Sequence, residues 1–377
     1  MTSTLPTHGL ELTSTVTQTG ELVLQLAEVP VPAPGPDEVL IRIEAAPINP
    51  SDLGVLLGPA DPASARFEGP PARPTVAAPL TPAAIKALAR RLDRPLPAGN
   101  EGAGVVVAAG DAAQNLLGKR VAVLAGAMFA QYRVVRAADC LVLPNDVPLA
   151  QGAAAFVNPL TALAMVETMR LEGHSGLVHT AAASNLGQML VKICLEDRVP
   201  LVNIVRKPEQ ARLLRELGAR HVCDSSAPGF GEDLVQALTD TGATLAFDAI
   251  GGGPMAGRIL GAMEAAAAAK TTEYSVYGTG QPKQVYIYGS LDPGPTELVR
   301  NFGLSWDVGG WLMPPVLLRI GSQGAERLRA RVLAGLKTIF ASTYTREISL
   351  AQALQPDVLA AYNRKATGEK YLINPTL

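Results

Sequence analysis

Leu177-Val178-His179-Thr180-Ala181-Ala182-Ala183-Ser184-Asn185-Leu186-Gly187-Gln188 is the stretch whose reading decides the fold. An apolar run passes into small residues and then into a helix-forming segment. A strand, turn and helix of this kind let the backbone approach a pyrophosphate, with N–H donors and the positive end of a dipole at the helix N-terminus. Counted back from Gly187, Ala182 and Ser184 stand at the first two glycine positions of a G-x-G-x-x-G turn, and only the third is glycine. Ala183, Ser184, Asn185, Leu186 and Gly187 are therefore candidate cofactor contacts. The same residues also suit a tight strand-to-helix connection with no ligand.

Two further segments bear on that choice. Pro200 to Val205 reads as the next strand, and it ends in Arg206-Lys207. An acidic residue at this place would accept a ribose 2′-OH, whereas Arg206 and Lys207 suit a 2′-phosphate, whose oxygens match a guanidinium fork. The pattern favours NADPH; the alternative is a pair of solvated surface charges. Farther on, the strand Thr244 to Asp248 runs into Ala249-Ile250-Gly251-Gly252-Gly253, a second glycine-rich strand end, which makes Ile250 and Gly251 candidates as well. Open α/β sheets bind ligands at such edges.

Around these segments, helix and strand alternate from about Pro159. Helices are expected over Thr161 to Met169, Leu186 to Glu196 and Glu209 to Leu217, with a further strand over Gln284 to Tyr288. Near-continuous apolar strands alternating with helices mean a parallel sheet covered on both faces. The first 150 or so residues are different. Glu38 to Glu44, Val105 to Ala109 and Arg120 to Leu124 are short strands with Gly and Pro punctuation, the pattern of a barrel or sandwich. Residues 60–97 are rich in Pro and Ala. Within them Thr81 is the expected N-cap, and Pro82 the first residue, of a short helix.

Composition bounds the function. A chain of 377 residues favours two domains, and with 48% hydrophobic and 18% charged residues it has ample material for two cores. Net charge is −2, which argues against a nucleic-acid partner. Mean hydropathy is +0.19, but no apolar run is long enough for a membrane span. The N-terminus lacks the basic and apolar regions of a secretory signal. Three scattered cysteines, Cys140, Cys194 and Cys223, build no disulfide framework, so a cytoplasmic location is expected.

In order along the chain, Ile48-Asn49-Pro50-Ser51-Asp52, Gly99-Asn100-Glu101-Gly102-Ala103-Gly104, Phe129-Ala130-Gln131-Tyr132, Asn158-Pro159-Leu160-Thr161-Ala162, the turn ending at Gly187 and Phe247-Asp248-Ala249-Ile250-Gly251-Gly252 make up a pattern. It resembles the zinc-independent quinone oxidoreductase and enoyl-thioester reductase branch of the medium-chain dehydrogenase/reductase superfamily. The resemblance implies an α/β fold: a GroES-like β-rich catalytic domain over 1–157 and 345–377, plus a Rossmann doubly wound parallel-sheet domain over 158–344 that binds NADPH. It places Asn49 and Thr161 at the catalytic centre, with Thr161 also at the nicotinamide, and brings Lys370 to the cofactor. Asn49 also reads as a turn residue made rigid by Pro50, and Thr161 as a helix cap. The resemblance further implies a small-molecule electron acceptor, with a homodimer joined through the sheet edge as one assembly to test; Gln284 to Leu291 is a candidate edge strand or, equally, a central one.

Zinc is not expected. The superfamily's metal ligands fall where this chain has Asn49-Pro50-Ser51-Asp52 and Gly99-Asn100-Glu101, and three separated cysteines cannot make a four-thiolate site. The expected activity is hydride transfer from NADPH to a quinone or conjugated enone. Enoyl-thioester reduction is an alternative, weakened because Leu53 to Phe67 holds no tyrosine. A second alternative is an NADPH-binding protein with little catalytic activity. Tyr274 and Tyr277 are candidates to reach the substrate or else lie in a surface loop.

Overall fold

The computed structural model describes residues 5–377, and the chain divides into two compact units, Met1–Val157 with Leu333–Leu377, and Asn158–Val332. The return to the first unit comes at Leu333, ahead of residue 345.

The first unit is built by alternation. In β1 (His8–Val16), β2 (Glu21–Pro30) and β3 (Glu38–Pro47), residues such as Leu12, Leu22, Leu24, Val39, Ile41 and Ile43 turn inward while polar neighbours face out. A single helical turn, α1 (Leu53–Leu56), precedes β4 (Arg66–Glu68) and β5 (Thr75–Pro79). The short helix α2 (Pro82–Ala87) starts as the sequence predicts: Thr81 Oγ1 accepts the Ala84 N–H at 3.2 Å and Pro82 takes the first position. After β6 (Leu96–Pro97), the region 60–97 proves integral to the fold. β5 pairs with β2 and β6 with β1, giving the antiparallel order β4-β5-β2-β1-β6.

A second sheet takes β7 (Glu101–Ala109), β8 (Arg120–Leu124), β9 (Tyr132–Arg136) and β10 (Leu141–Val142), followed by the helical turn α3 (Leu149–Gly152).

The second unit continues through α4 (Val157–Leu171), β11 (Leu177–His179), α5 (Asn185–Asp197), β12 (Leu201–Val205), α6 (Pro208–Glu216), β13 (His221–Asp224), α7 (Phe230–Thr241) and β14 (Leu245–Asp248). Then come β15 (Gly251–Gly253), α8 (Met255–Ala268), β16 (Lys283–Ile287), β17 (Asp292–Thr296), β18 (Trp306–Gly310) and α9 (Met313–Gly335), which kinks at Gly321. Six strands form one sheet in the order β13-β12-β11-β14-β16-β18, and every pairing is parallel. Its central strands are buried on both faces, which is why they read as unbroken apolar runs. β16 lies inside the sheet and β18 is the edge, so Gln284 to Leu291 does not supply an edge strand. From β11 the chain moves outward to β12 and β13, then crosses to β14, β16 and β18. The carboxyl ends of β11 and β14 therefore form the switch point at which such sheets hold ligands.

The chain ends with β19 (Arg346–Ile348), α10 (Pro356–Asn363) and β20 (Tyr371–Ile373), which complete the second sheet of the first unit in the order β10-β8-β7-β3-β20-β19, with β9 also on β3. Ile348, Leu359 and Ile373 enter the same core as Leu12, Ile41 and Phe129. Each such side chain contributes about 1.5–3 kcal/mol on burial, so the C-terminal segment is part of the first unit's stability.

Candidate functional site

In the second unit, the turn after β11 closes on its own backbone. Ala181 takes a left-handed conformation (φ 50°), the Ala182 N–H reaches Ile204 O at 3.2 Å, and the Ser184 N–H returns to Ala181 O at 2.9 Å. Ser184 caps α5, its Oγ accepting the Gly187 N–H at 3.1 Å. A Cβ on Gly187 would stand 2.1 Å from Ala182 O. No side chain fits there, so the helix can lie against the turn only because residue 187 is glycine. Ala183, Leu186 and Gly187 are buried; Ser184 and Asn185 are partly exposed at the start of the helix.

The adjacent strand end is held by two residues that sequence reading passed over. Asp248 is fully buried at the end of β14. Its Oδ1 accepts the Thr180 hydroxyl at 2.7 Å and the Ile250 N–H at 2.9 Å, and Oδ2 accepts the Gly251 N–H at 3.2 Å. Thr180 Oγ1 in turn accepts the Ala249 N–H at 2.8 Å. The ends of β11 and β14 are thus locked together, with Ile250 and Gly251 fixed beside them. The signal was available, since an Asp directly after Leu245-Ala246-Phe247 needs hydrogen bonds to be buried there. Gly251 is also irreplaceable: φ is +83°, and a Cβ would lie 2.7 Å from Gly289 O.

At the end of β12, Arg206 and Lys207 are exposed, and neither forms an ion pair among the described residues. Thr161 is the fifth residue of α4 and so does not cap it; its hydroxyl lies 3.9 Å from Met313 Sδ at the start of α9. Tyr274 and Tyr277 are strongly exposed in the segment between α8 and β16.

In the first unit, Asn49 belongs to a buried polar cluster. Asn49 Nδ2 donates to Glu101 Oε1 at 2.8 Å, and the Asn49 N–H donates to Asp52 Oδ2 at 2.7 Å. Asp52 Oδ1 accepts the Asn100 N–H at 2.8 Å. Glu101 Oε2 accepts the N–H groups of Phe156 and Val157, each at 2.9 Å. Asn49 and Asp52 are 1% exposed and Glu101 not at all, so these three side chains lie out of water. Burial raises the Asp52 carboxyl to about 7, with Glu101 adding to the rise and the two N–H bonds and Lys370 opposing it. Burial likewise raises Glu101, against the pull of Lys370 and its three hydrogen-bond donors.

Lys370 is turned inward. Its Nζ is enclosed without a hydrogen-bond partner and stands 5.5 Å from the centre of the Tyr344 ring. Burial lowers its pKa, while the charges of Glu101 and Asp52 hold it up. Among the described residues no group of three or more His, Cys, Asp or Glu side chains is placed to hold a metal ion, and no helix is long and apolar enough to cross a membrane.

A β-rich unit with a buried polar cluster and a parallel-sheet unit with a ligand-binding switch point define a two-domain nucleotide-fold protein. Residues 35–145 match the alcohol dehydrogenase GroES-like domain. Over 208 residues the chain is 30% identical to the mitochondrial enoyl-[acyl-carrier-protein] reductase of Xenopus tropicalis, covering 53% of this chain and 51% of that protein. The chain thus spans about half the length of the curated relatives it matches. A Mesorhizobium loti structure described as a candidate NADPH:quinone reductase is similar over 99% of this chain and 100% of that one, with 28% identity and a TM-score of 0.72. Escherichia coli quinone oxidoreductase, solved with NADPH, has the same fold, at 17% identity and a TM-score of 0.67 over 98% and 100% of the two chains. The chain is similar to quinone oxidoreductases and enoyl-thioester reductases of the medium-chain dehydrogenase/reductase superfamily, and its residues 35–145 carry the GroES-like domain match.

Proposed function

We propose that the protein is an NADPH-dependent reductase acting on a quinone or conjugated enone. The observation that carries this is the pairing of the Gly187–Ala182 contact after β11 with the unpaired cations Arg206 and Lys207 after β12. The first packs the start of α5 against the turn, the arrangement that aims a helix N-terminus at a pyrophosphate. The second offers two uncompensated positive charges at the neighbouring strand end, the place of a 2′-phosphate.

In this reading Ala183, Ser184, Asn185, Leu186 and Gly187 line the pyrophosphate. The Thr180–Asp248 lock holds Ile250 and Gly251 at the nicotinamide half, with Thr161 nearby. NADPH, when bound, supplies the hydride. Asn49, its amide orientation set by Glu101, is the first unit's candidate catalytic residue. Reduction of an acceptor places negative charge on an oxygen, which needs hydrogen-bond donors. Enoyl thioesters remain on the substrate panel because the relatives include enoyl reductases, although residues 53–67 offer no tyrosine as proton donor. If two copies join edge to edge, β18 is the strand they would share.

The experiment is NADPH oxidation, followed by absorbance, against a panel of quinones, enones and enoyl thioesters with NADH as control. The expected result is turnover with NADPH well above that with NADH. Arg206→Ala with Lys207→Ala should raise the KM for NADPH by roughly tenfold or more while leaving that for NADH little changed. Tight NADPH binding with no turnover on any acceptor would favour a binding protein.

A further inference from the structure

We infer that Glu101 is a positioning residue that clamps the candidate catalytic amide of Asn49 and the backbone at Phe156 and Val157 with one carboxylate, and that the enclosed ammonium of Lys370 keeps the clamp in its acceptor form. The inference rests on the reductase reading only for its effect on turnover; the clamp itself is a matter of geometry. Glu101 Oε1 takes Asn49 Nδ2, and Oε2 takes the N–H groups of Phe156 and Val157. One side chain on β7 therefore fixes the candidate catalytic amide of Asn49 and the backbone at Phe156 and Val157.

The arrangement needs an acceptor on both oxygens. Every partner of Glu101 is an N–H donor, and a carboxylate is acceptor-only when ionised. Because Nδ2 of Asn49 is committed to Glu101, the side-chain carbonyl must face the other way. A carboxylate with no exposure would not stay ionised without compensation. The charges around it are Asp52, in the turn before α1, which opposes ionisation, and Lys370, directly before β20, which supports it. Lys370 has no hydrogen bond to hold its Nζ. Its contribution at this place is its charge, shared between two carboxylates, with the Tyr344 ring as a further wall.

Lys370→Met removes the charge and keeps much of the volume. In menadione-dependent NADPH oxidation by the full chain, turnover at saturating NADPH should fall roughly tenfold to a hundredfold. Peptide-level hydrogen exchange should show the amides of Phe156 and Val157 opening faster. Lys370→Arg restores the charge and should recover slow exchange and most of the turnover. Glu101→Gln is the second variant. Its amide satisfies one side only and sets a donor against Asn49 Nδ2, so turnover should drop to a similar degree. The clamp is overturned if Lys370→Met keeps both slow exchange and full turnover, or if Lys370→Arg behaves like Lys370→Met. If the unaltered protein turns over no acceptor while exchange at Phe156 and Val157 still follows the charge at position 370, the reductase reading falls and the clamp stands.

Discussion

Each unit buries a polar heart, and the two solve the same problem in opposite ways. In the first, Asp52, Glu101 and Lys370 place three ionisable groups out of water, where burial pushes each toward its neutral form and the opposite charges between Lys370 and the carboxylates oppose that push. In the second, His179 and Tyr288 make one hydrogen bond of 2.7 Å between rings stacked 5.8 Å apart, and burial keeps both neutral. Each heart also leaves one nitrogen without a hydrogen bond, Lys370 Nζ and His179 Nδ1. Lys370 tolerates this because two carboxylates lie near. His179 tolerates it because it carries no charge. The ionic heart sits where the reading places chemistry, and the neutral one lies under the sheet's C-terminal edge as packing.

The sharpest way to break the comparison is to remove one member of the ionic heart. Glu101→Ala leaves three N–H donors without an acceptor and takes a counter-charge from Lys370. Removing the acceptor from a buried cluster in this way costs about 3–5 kcal/mol, which chemical denaturation of the full chain should show. A loss below about 1 kcal/mol would mean that water enters the cluster and the bonds are replaceable.

The second test uses pH, because the two hearts tilt oppositely. Asp52 is raised from 3.8 to about 7, so the folded state holds its proton more tightly than the unfolded chain. Its contribution to stability is full below about pH 4 and is lost as pH rises toward 7. His179 is lowered from 6.5 to about 3, so its contribution is full above about pH 6.5 and is lost as pH falls. Each arm amounts to roughly 5 kcal/mol at most. Both tryptophans, Trp306 and Trp311, belong to the second unit. Tryptophan fluorescence should therefore report the acid-sensitive arm, while circular dichroism follows both units. His179→Gln should flatten the acid arm seen by fluorescence. An acid arm of equal size in that variant would show that another group carries it.

What the sequence makes legible follows from how local each feature is. Arg120–Leu124 and Leu201–Val205 announce themselves because a buried strand is written in its own residues. The cap of α2 needs only Thr81, Pro82 and Ala84. The turn at Gly187 is equally local, and the structure adds only the reason for the glycine. β17, Asp292-Pro293-Gly294-Pro295-Thr296, does not look like a strand, and it exists because Gly251–Gly253 lies beside it. α9 was open to reading from Pro314 and Pro315 at its start, but Gly321 interrupts its pattern. The ionic heart was out of reach for another reason. Asn49, Glu101 and Lys370 come from three distant parts of the chain, and nothing near Lys370 in sequence says that its nitrogen turns inward. Asp248 was within reach, since a charge at the end of an apolar strand asks for partners.

The smallest expected effect sharpens the neutral heart. A buried N–H without a partner is rarer than a bare acceptor, so the orphaned Nδ1 should be the unprotonated nitrogen and Nε2 should carry the hydrogen, donating to the Tyr288 hydroxyl. Tyr288→Phe then strands that N–H, with Phe247, Trp311 and the ring stack still packed around it. The loss should be about 1–2 kcal/mol, well below that of Glu101→Ala, and the nitrogen chemical shifts of His179 should report the Nε2–H tautomer before the substitution. The opposite tautomer would make Tyr288 the donor and leave a buried Nδ1–H unpaired. The neutral heart would then hold the costlier of the two orphans, and the contrast with Lys370 would rest on charge alone.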